Sequence, residues 1–182
     1  AGCNSSTTQT VSPTGVSQTD VLNFALNLEY LEATFYSYIT QGTDISSSLS
    51  IGGGAVTGAP AKIAFTGANA AQVTDMLNEI YYDEISHVTD LRGLLGSIAV
   101  ARPAINLAAG GAITAANALS IARLFEDVGV TAYAGAAAAL STGNLAYASQ
   151  ILGVESFHSG ALRFAIILQN AAAAGTDPYL PA

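Results

Sequence analysis

The sequence predicts an all-α protein, a four-helix bundle with a long crossover between helices 2 and 3, and three observations carry that prediction. Apolar residues recur at helical spacing over four stretches of roughly 24 to 30 residues, each about 36 to 45 Å long, which are bundle dimensions. Glycine, proline and serine cluster between those stretches and mark helix ends and connections. The only two histidines lie in two copies of one motif, Glu84-Ile-Ser-His87-Val-Thr-Asp-Leu-Arg92 and Glu155-Ser-Phe-His158-Ser-Gly-Ala-Leu-Arg163. On a helix, Glu and His three residues apart share one face about one turn apart, where both reach a single metal ion.

The first helix starts at Ser17 or Thr19 as N-cap, with Asp20 in its first turn. Val21, Leu22, Ala25, Leu28, Leu31 and Phe35 keep the helical spacing until Gly42. Residues 43–67 are rich in Ser, Gly and Pro and read as a long connection. Short strands are expected at Ser48-Leu-Ser-Ile51 and Lys62-Ile-Ala-Phe65, pairing as a hairpin around Gly52-Gly-Gly54. The second helix spans 68–96, with Met76, Leu77, Ile80, Tyr81, Ile85, Val88 and Leu91 at its apolar positions. Residues 97–114, with Pro103 and Gly110-Gly111, break the pattern and are long enough to cross from one end of a bundle to the other. The third helix begins near Ala115 with Thr114 as N-cap and stops at Ser141-Thr-Gly143. The fourth runs from Asn144 to Gly175. The Ala- and Gly-rich patch 132–139 implies a close helix approach or a contact with another subunit.

Pairing the helices exposes a wider repeat. Glu29-x4-Thr34-x-Tyr36 on the first helix matches Glu126-x4-Thr131-x-Tyr133 on the third. The order along the chain is therefore Glu, Glu-x-x-His, Glu, Glu-x-x-His, an inventory for two metal ions. Glu126 and Glu155 are flanked by core residues, where an unpaired carboxylate is costly, and bound cations would remove that cost. Ligation dominated by oxygen, with one nitrogen per ion, suits iron or manganese better than structural zinc. Glu32, one turn from Glu29, is an extra ligand or an exposed charge. Tyr36 and Tyr133 are near enough to hydrogen-bond a ligand or pass an electron, or else pack in the core. Arg92 and Arg163 pair with carboxylates such as Asp83 or Asp127, or lie on the surface.

Half of the 182 residues are apolar and only 10% are charged, with a net charge of −8. Five Lys and Arg form no basic patch, so nucleic acid and anionic membrane surfaces are disfavoured as partners. The uncharged stretch 128–154 is broken by Thr, Ser, Asn and Gly and reads poorly as a membrane span. A single cysteine, Cys3, excludes a disulfide framework or a Cys-based metal site within one subunit, leaving a bridge to another chain. Residues 1–16 form a Ser/Thr-rich tail, 17–175 the bundle and 176–182 a C-terminal tail. The polar opening and the sequon Asn4-Ser5-Ser6 point to an exported product, located in the periplasm, at the cell surface or outside the cell.

The stretch Asp20-Val-Leu-Asn-Phe-Ala-Leu-Asn-Leu-Glu-Tyr-Leu-Glu-Ala-Thr-Phe-Tyr36 resembles the opening of the ferritin-like family that includes desiccation-related proteins, and the similarity covers residues 18–172. The resemblance implies a ferritin-like four-helix bundle with a dinuclear centre. Its ligands would be Glu29, Glu84, His87, Glu126, Glu155 and His158, holding two divalent ions of iron or manganese. The chain lacks the cysteines of a rubredoxin module, so rubrerythrin-type electron delivery is not expected. Two functions follow: an exported metal protein that handles oxidant or iron in stress protection, and a structural subunit of an extracellular homo-oligomer. In the second, self-association runs through the N-terminal tail or the Ala/Gly-rich helix faces.

Overall fold

The computed structural model describes residues 15–67 and 69–170. Cys3, nearly all of the expected N-terminal tail, the C-terminal tail and the expected helix end at Gly175 lie outside the described residues. The bundle consists of α1 (Gln18–Gln41), α2 (Ala70–Leu95), α3 (Ala118–Ala136) and α4 (Thr142–Asn170).

Ser17 and Asp20 open α1 as a reciprocal capping box: the Ser17 hydroxyl accepts from the Asp20 N–H, and the Asp20 carboxylate accepts from the Ser17 N–H. Gly42 closes the helix at φ 78°, where its N–H reaches the carbonyls of Ser37 and Tyr38. α3 begins three residues later than expected. Thr114 is not its N-cap, because Asn117 Oδ1 accepts from the Thr114 N–H and holds residues 114–117 as a turn. Beyond Ala136, α3 ends in a 3-10 turn, Ala137–Ala139.

Contacts between helix ends fix the topology. At the start of α1, the Asn23 side chain bonds Ile98 O and the Val100 N–H, just beyond the end of α2. Gln18 accepts from the Ser141 N–H beyond α3, and Asn69 before α2 bonds Leu168 O near the end of α4. α1 is therefore antiparallel to both α2 and α3. α2 and α3 then run the same way, so residues 96–117 must travel the length of the bundle.

The expected hairpin does not form. Two short strands, β1 (Val56–Thr57) and β2 (Ile105–Asn106), pair in parallel and tie the α1–α2 connection to the crossover. Of the residues expected to be strands, Ile63 spends its N–H on Ile39 O of α1, and Leu49 closes a turn onto Ser46 O. Arg102, 6% exposed, locks the two connections together through both oxygens of Asp44, at 2.6 and 3.0 Å, and through Gly54 O at 3.0 Å. Gly54 is required at this crossing, since a Cβ there would collide with the Ala104 backbone.

The core is two apolar clusters stacked along the bundle axis. One gathers Phe35, Tyr36, Ile39, Leu77, Ile80 and Leu162, and the other Leu22, Leu26, Tyr30, Val88, Leu91 and Ile151. Between them lies a layer of buried polar side chains. Within the Ala/Gly-rich patch, Gly135 faces open space, with nothing within 4 Å of where its Cβ would stand, while Tyr133 is buried against α1. The uncharged stretch is divided between α3 and α4 by the 3-10 turn. Over Thr142–Gln169, α4 is long and apolar enough to cross a bilayer, yet it delivers Glu155 and His158 into the bundle interior.

Candidate metal centre

The polar layer is built by one residue pattern used twice. α1 supplies Glu29 and Glu32, α2 supplies Glu84 and His87, α3 supplies Glu126, and α4 supplies Glu155 and His158. Each helix keeps its neighbouring apolar positions in the core, which forces these side chains inward as well. Glu29, Glu84, Glu126, Glu155 and His158 are completely buried, and His87 and Glu32 are nearly so.

Two groups of ligand atoms converge. Glu29, Glu84, His87 and Glu155 place one donor each within 4.8 Å of one another, and so do Glu84, Glu126, Glu155 and His158. Glu84 and Glu155 belong to both groups. His87 Nδ1 lies 3.1 Å from Glu29, 3.2 Å from Glu84 and 3.4 Å from Glu155. His158 Nδ1 lies 3.0 Å from Glu84 and 3.1 Å from Glu126.

Each Nδ1 carries at most one hydrogen, so most of these carboxylate oxygens have no donor. Glu32 Oε2, Glu84 Oε1 and both oxygens of Glu155 are buried without a hydrogen bond. Orphaned carboxylate oxygens in an apolar interior are expensive, and a divalent cation between them would supply the missing positive charge. The donor set therefore fits metal.

The surroundings hold these side chains in place. Tyr36 on α1 donates to Glu126 on α3, and Tyr133 on α3 donates to Glu29 on α1. The two tyrosines therefore orient carboxylates, a role left open beside core packing in the sequence. His158 Nε2 faces Asp83 Oδ2 at 3.0 Å, the carboxylate–imidazole pairing that fixes the tautomer of a ligand histidine. Arg163 grips Asp127 with two bonds, at 2.8 and 2.9 Å, and its side chain is 42% exposed, so the two placements left open for it combine. Arg92 instead donates to the Tyr30 hydroxyl. Tyr30 and Asp127 each follow the repeat glutamate by one residue, so one contact recurs with different chemistry.

The family model of the ferritin-like domain matches residues 17–168. The chain belongs to the ferritin-like domain family. No curated protein and no solved structure matches it. In this ferritin-like chain two contributors escaped sequence reasoning. Asp83 was visible only as a possible arginine partner, and Gly129 gave no signal apart from standing where the repeat would place a match for Glu32.

Without metal, burial dominates the electrostatics. It raises Glu29 to about 7 and Glu155 to about 9, and pushes Glu32 and Glu126 upward, with neighbouring carboxylates adding to each. At Glu84 burial also opposes ionisation, but the imidazoles of His158 and His87 beside it outweigh that effect and hold the carboxyl at about 2. Burial works against protonation of His158, yet Glu126 and Glu84 lift it to about 11.

The signs combine simply. A raised carboxylate or imidazole contributes stability that is complete below its unfolded pKa and is lost as pH rises through the folded one. For Glu29, Glu155 and His158 that loss runs from 4.5 to about 7, from 4.5 to about 9 and from 6.5 to about 11. Glu84 behaves oppositely and loses its contribution as pH falls from 4.5 toward about 2. The melting temperature of metal-free protein is thus expected to fall steadily between about pH 6 and pH 9, a trend that thermal scans check directly. Bound metal should reverse the trend, because it requires deprotonated ligands.

Asp83 offers a test of the layer's asymmetry. The residue matching it in the other half is Val154, so His87 has no equivalent carboxylate behind it. Asp83→Ala is expected to weaken manganese binding at the His158 group by roughly 10- to 100-fold while largely sparing the His87 group. Calorimetric titration would show one tight ion remaining per chain; equal weakening of both ions would contradict the assignment.

Proposed function

We propose that this ferritin-like protein holds two divalent ions, iron or manganese, one in each ligand group, with Glu84 and Glu155 shared between them. The observation that carries the proposal is the set of buried, donorless carboxylate oxygens at the meeting point of the two groups. Oxygen-rich ligation with one imidazole per ion favours iron or manganese. When bound and reduced, the two ions would supply two electrons to an oxidant such as dioxygen or peroxide. The chain's own contribution is positional. Tyr133 and Tyr36 hold Glu29 and Glu126, Asp83 orients His158, and the two apolar clusters keep bulk water away from the layer.

We read the cellular role as oxidant or iron handling in stress protection by an exported protein. Support comes from the resemblance of residues 20–36 to desiccation-related proteins and from the sequon Asn4-Ser5-Ser6. Reconstitution with ferrous iron or manganese, followed by elemental analysis, is expected to give about two ions per chain. A chain that retains almost no metal after this treatment would end the proposal.

A structural role in a homo-oligomer is the second reading, favoured by large apolar side chains on the outer faces. Phe24, Phe157 and Phe164 are each at least 60% exposed. Light scattering of the full chain should then report an assembly that dissociates when Phe157 and Phe164 are replaced by Ser. A monomer in both cases would exclude that role.

A further inference from the structure

The repeat that builds the centre is broken at one position. Glu32 stands three residues after Glu29, and the residue three after Glu126 is Gly129. A Cβ on Gly129 would lie 3.4 Å from Glu32 Oε1 and would collide with Glu155 Oε2. The missing side chain therefore makes room for two carboxylates at one corner of the layer. Glu32 is 2% exposed, and its Oε2 has no hydrogen-bond partner.

Outward from that carboxylate, α1 and α3 separate into a cleft of about 240 Å³. Its walls are Leu28, Leu31, Leu124, Phe125 and Val128, and Glu32 is its one polar side chain. The opposite side of the layer is different. There Asp83, between α2 and α4, has its side chain 38% exposed and bonded to His158, which offers a polar approach.

We propose that the α1–α3 cleft is the path by which a small apolar oxidant, dioxygen, reaches the carboxylate layer, with Glu32 as the group it meets first. This inference rests on the metal-centre proposal and adds a direction of approach to it. Walls of Leu, Phe and Val offer no hydrogen bonds. Dioxygen loses nothing in passing them, whereas hydrogen peroxide would leave its water partners behind uncompensated. The cleft's volume is ample for a diatomic molecule, and Glu32 closes its inner end. At the layer, Gly129 leaves room for the Glu32 and Glu155 carboxylates, which a Cβ there would crowd.

The test uses two apolar probes and one polar probe on protein whose metal content has first been measured. A chain without metal would defeat the centre itself, and this is known before any gas is applied. Crystals of manganese-loaded protein under xenon pressure should show xenon in the cleft beside Glu32. Nitric oxide should bind the ferrous protein through the same path. Val128→Phe, at a position 43% exposed, fills the mouth without touching any ligand. It is expected to remove the xenon and slow nitric oxide binding at least about tenfold, while azide binding and manganese affinity stay at parent values. Leu124→Phe, on the same wall, serves if Val128→Phe does not fold. A cleft that takes no xenon, or a filled cleft with nitric oxide binding at the parent rate, overturns the proposal. Equal slowing of azide and nitric oxide does the same, since the path would then not select apolar molecules.

Discussion

Glu155→Gln is expected to have two opposite effects: it should stabilise the metal-free protein and abolish metal binding. In the metal-free layer Glu155 is wholly buried, both of its oxygens lack hydrogen-bond donors, and burial raises its carboxyl to about 9. A neutral amide of the same shape removes a group that resists ionisation and repels Glu32, Glu29 and Glu84. The gain should be about 1 to 3 kcal/mol, or roughly 3 to 10 °C in melting temperature, and it should be largest above neutral pH. The same change takes a shared ligand away from both ions. Affinity for manganese should fall at least about 100-fold, equivalent to roughly 3 kcal/mol, and added metal should no longer raise the melting temperature. Thermal scans with and without manganese measure both effects. A variant that is destabilised without metal would mean that Glu155 is satisfied in some other way.

Gly129→Ala is the second large effect, and its sign is opposite to the helix-propensity expectation. In an ordinary helix interior this substitution gains roughly 0.5 to 1 kcal/mol. Gly93, Gly135 and Gly153 also lie within helices, with nothing within 4 Å of an added Cβ, and their alanine variants should show that gain. At Gly129 the added methyl would meet Glu155 Oε2 directly and approach its Cδ to 2.9 Å. Either α3 moves away from the layer or Glu155 leaves its place, at a cost of about 1 to 3 kcal/mol. Denaturant unfolding of the four variants decides the matter. If Gly129→Ala is stabilised like the other three, the layer is not closely packed against α3.

The four helices and the convergence of the Glu and His residues could be read from the sequence because both rest on local periodicity. A Glu-x-x-His pair declares its face as soon as the segment is known to be helical, and Ser17 and Thr19, with Asp20 beside them, bracket where α1 begins. The pairing of β1 with β2 could not be read, because it joins residues nearly fifty apart through backbone groups that carry no side-chain signature. The hairpin expectation failed for the same reason, since Ile63 found a better acceptor at the end of α1 than in its own connection. Asp83 escaped notice because its partner, His158, lies on another helix. The asymmetry between Glu32 and Gly129 was present in the aligned repeat, but only the packing of α1 against α3 gives the empty position a meaning.

Anomalous scattering from crystals grown with manganese tests the central claim most directly. Two peaks are expected about 3.5 to 4 Å apart, both between Glu84 and Glu155, one beside His87 and one beside His158. Strong manganese peaks elsewhere on the protein, with none between those two carboxylates, would contradict it.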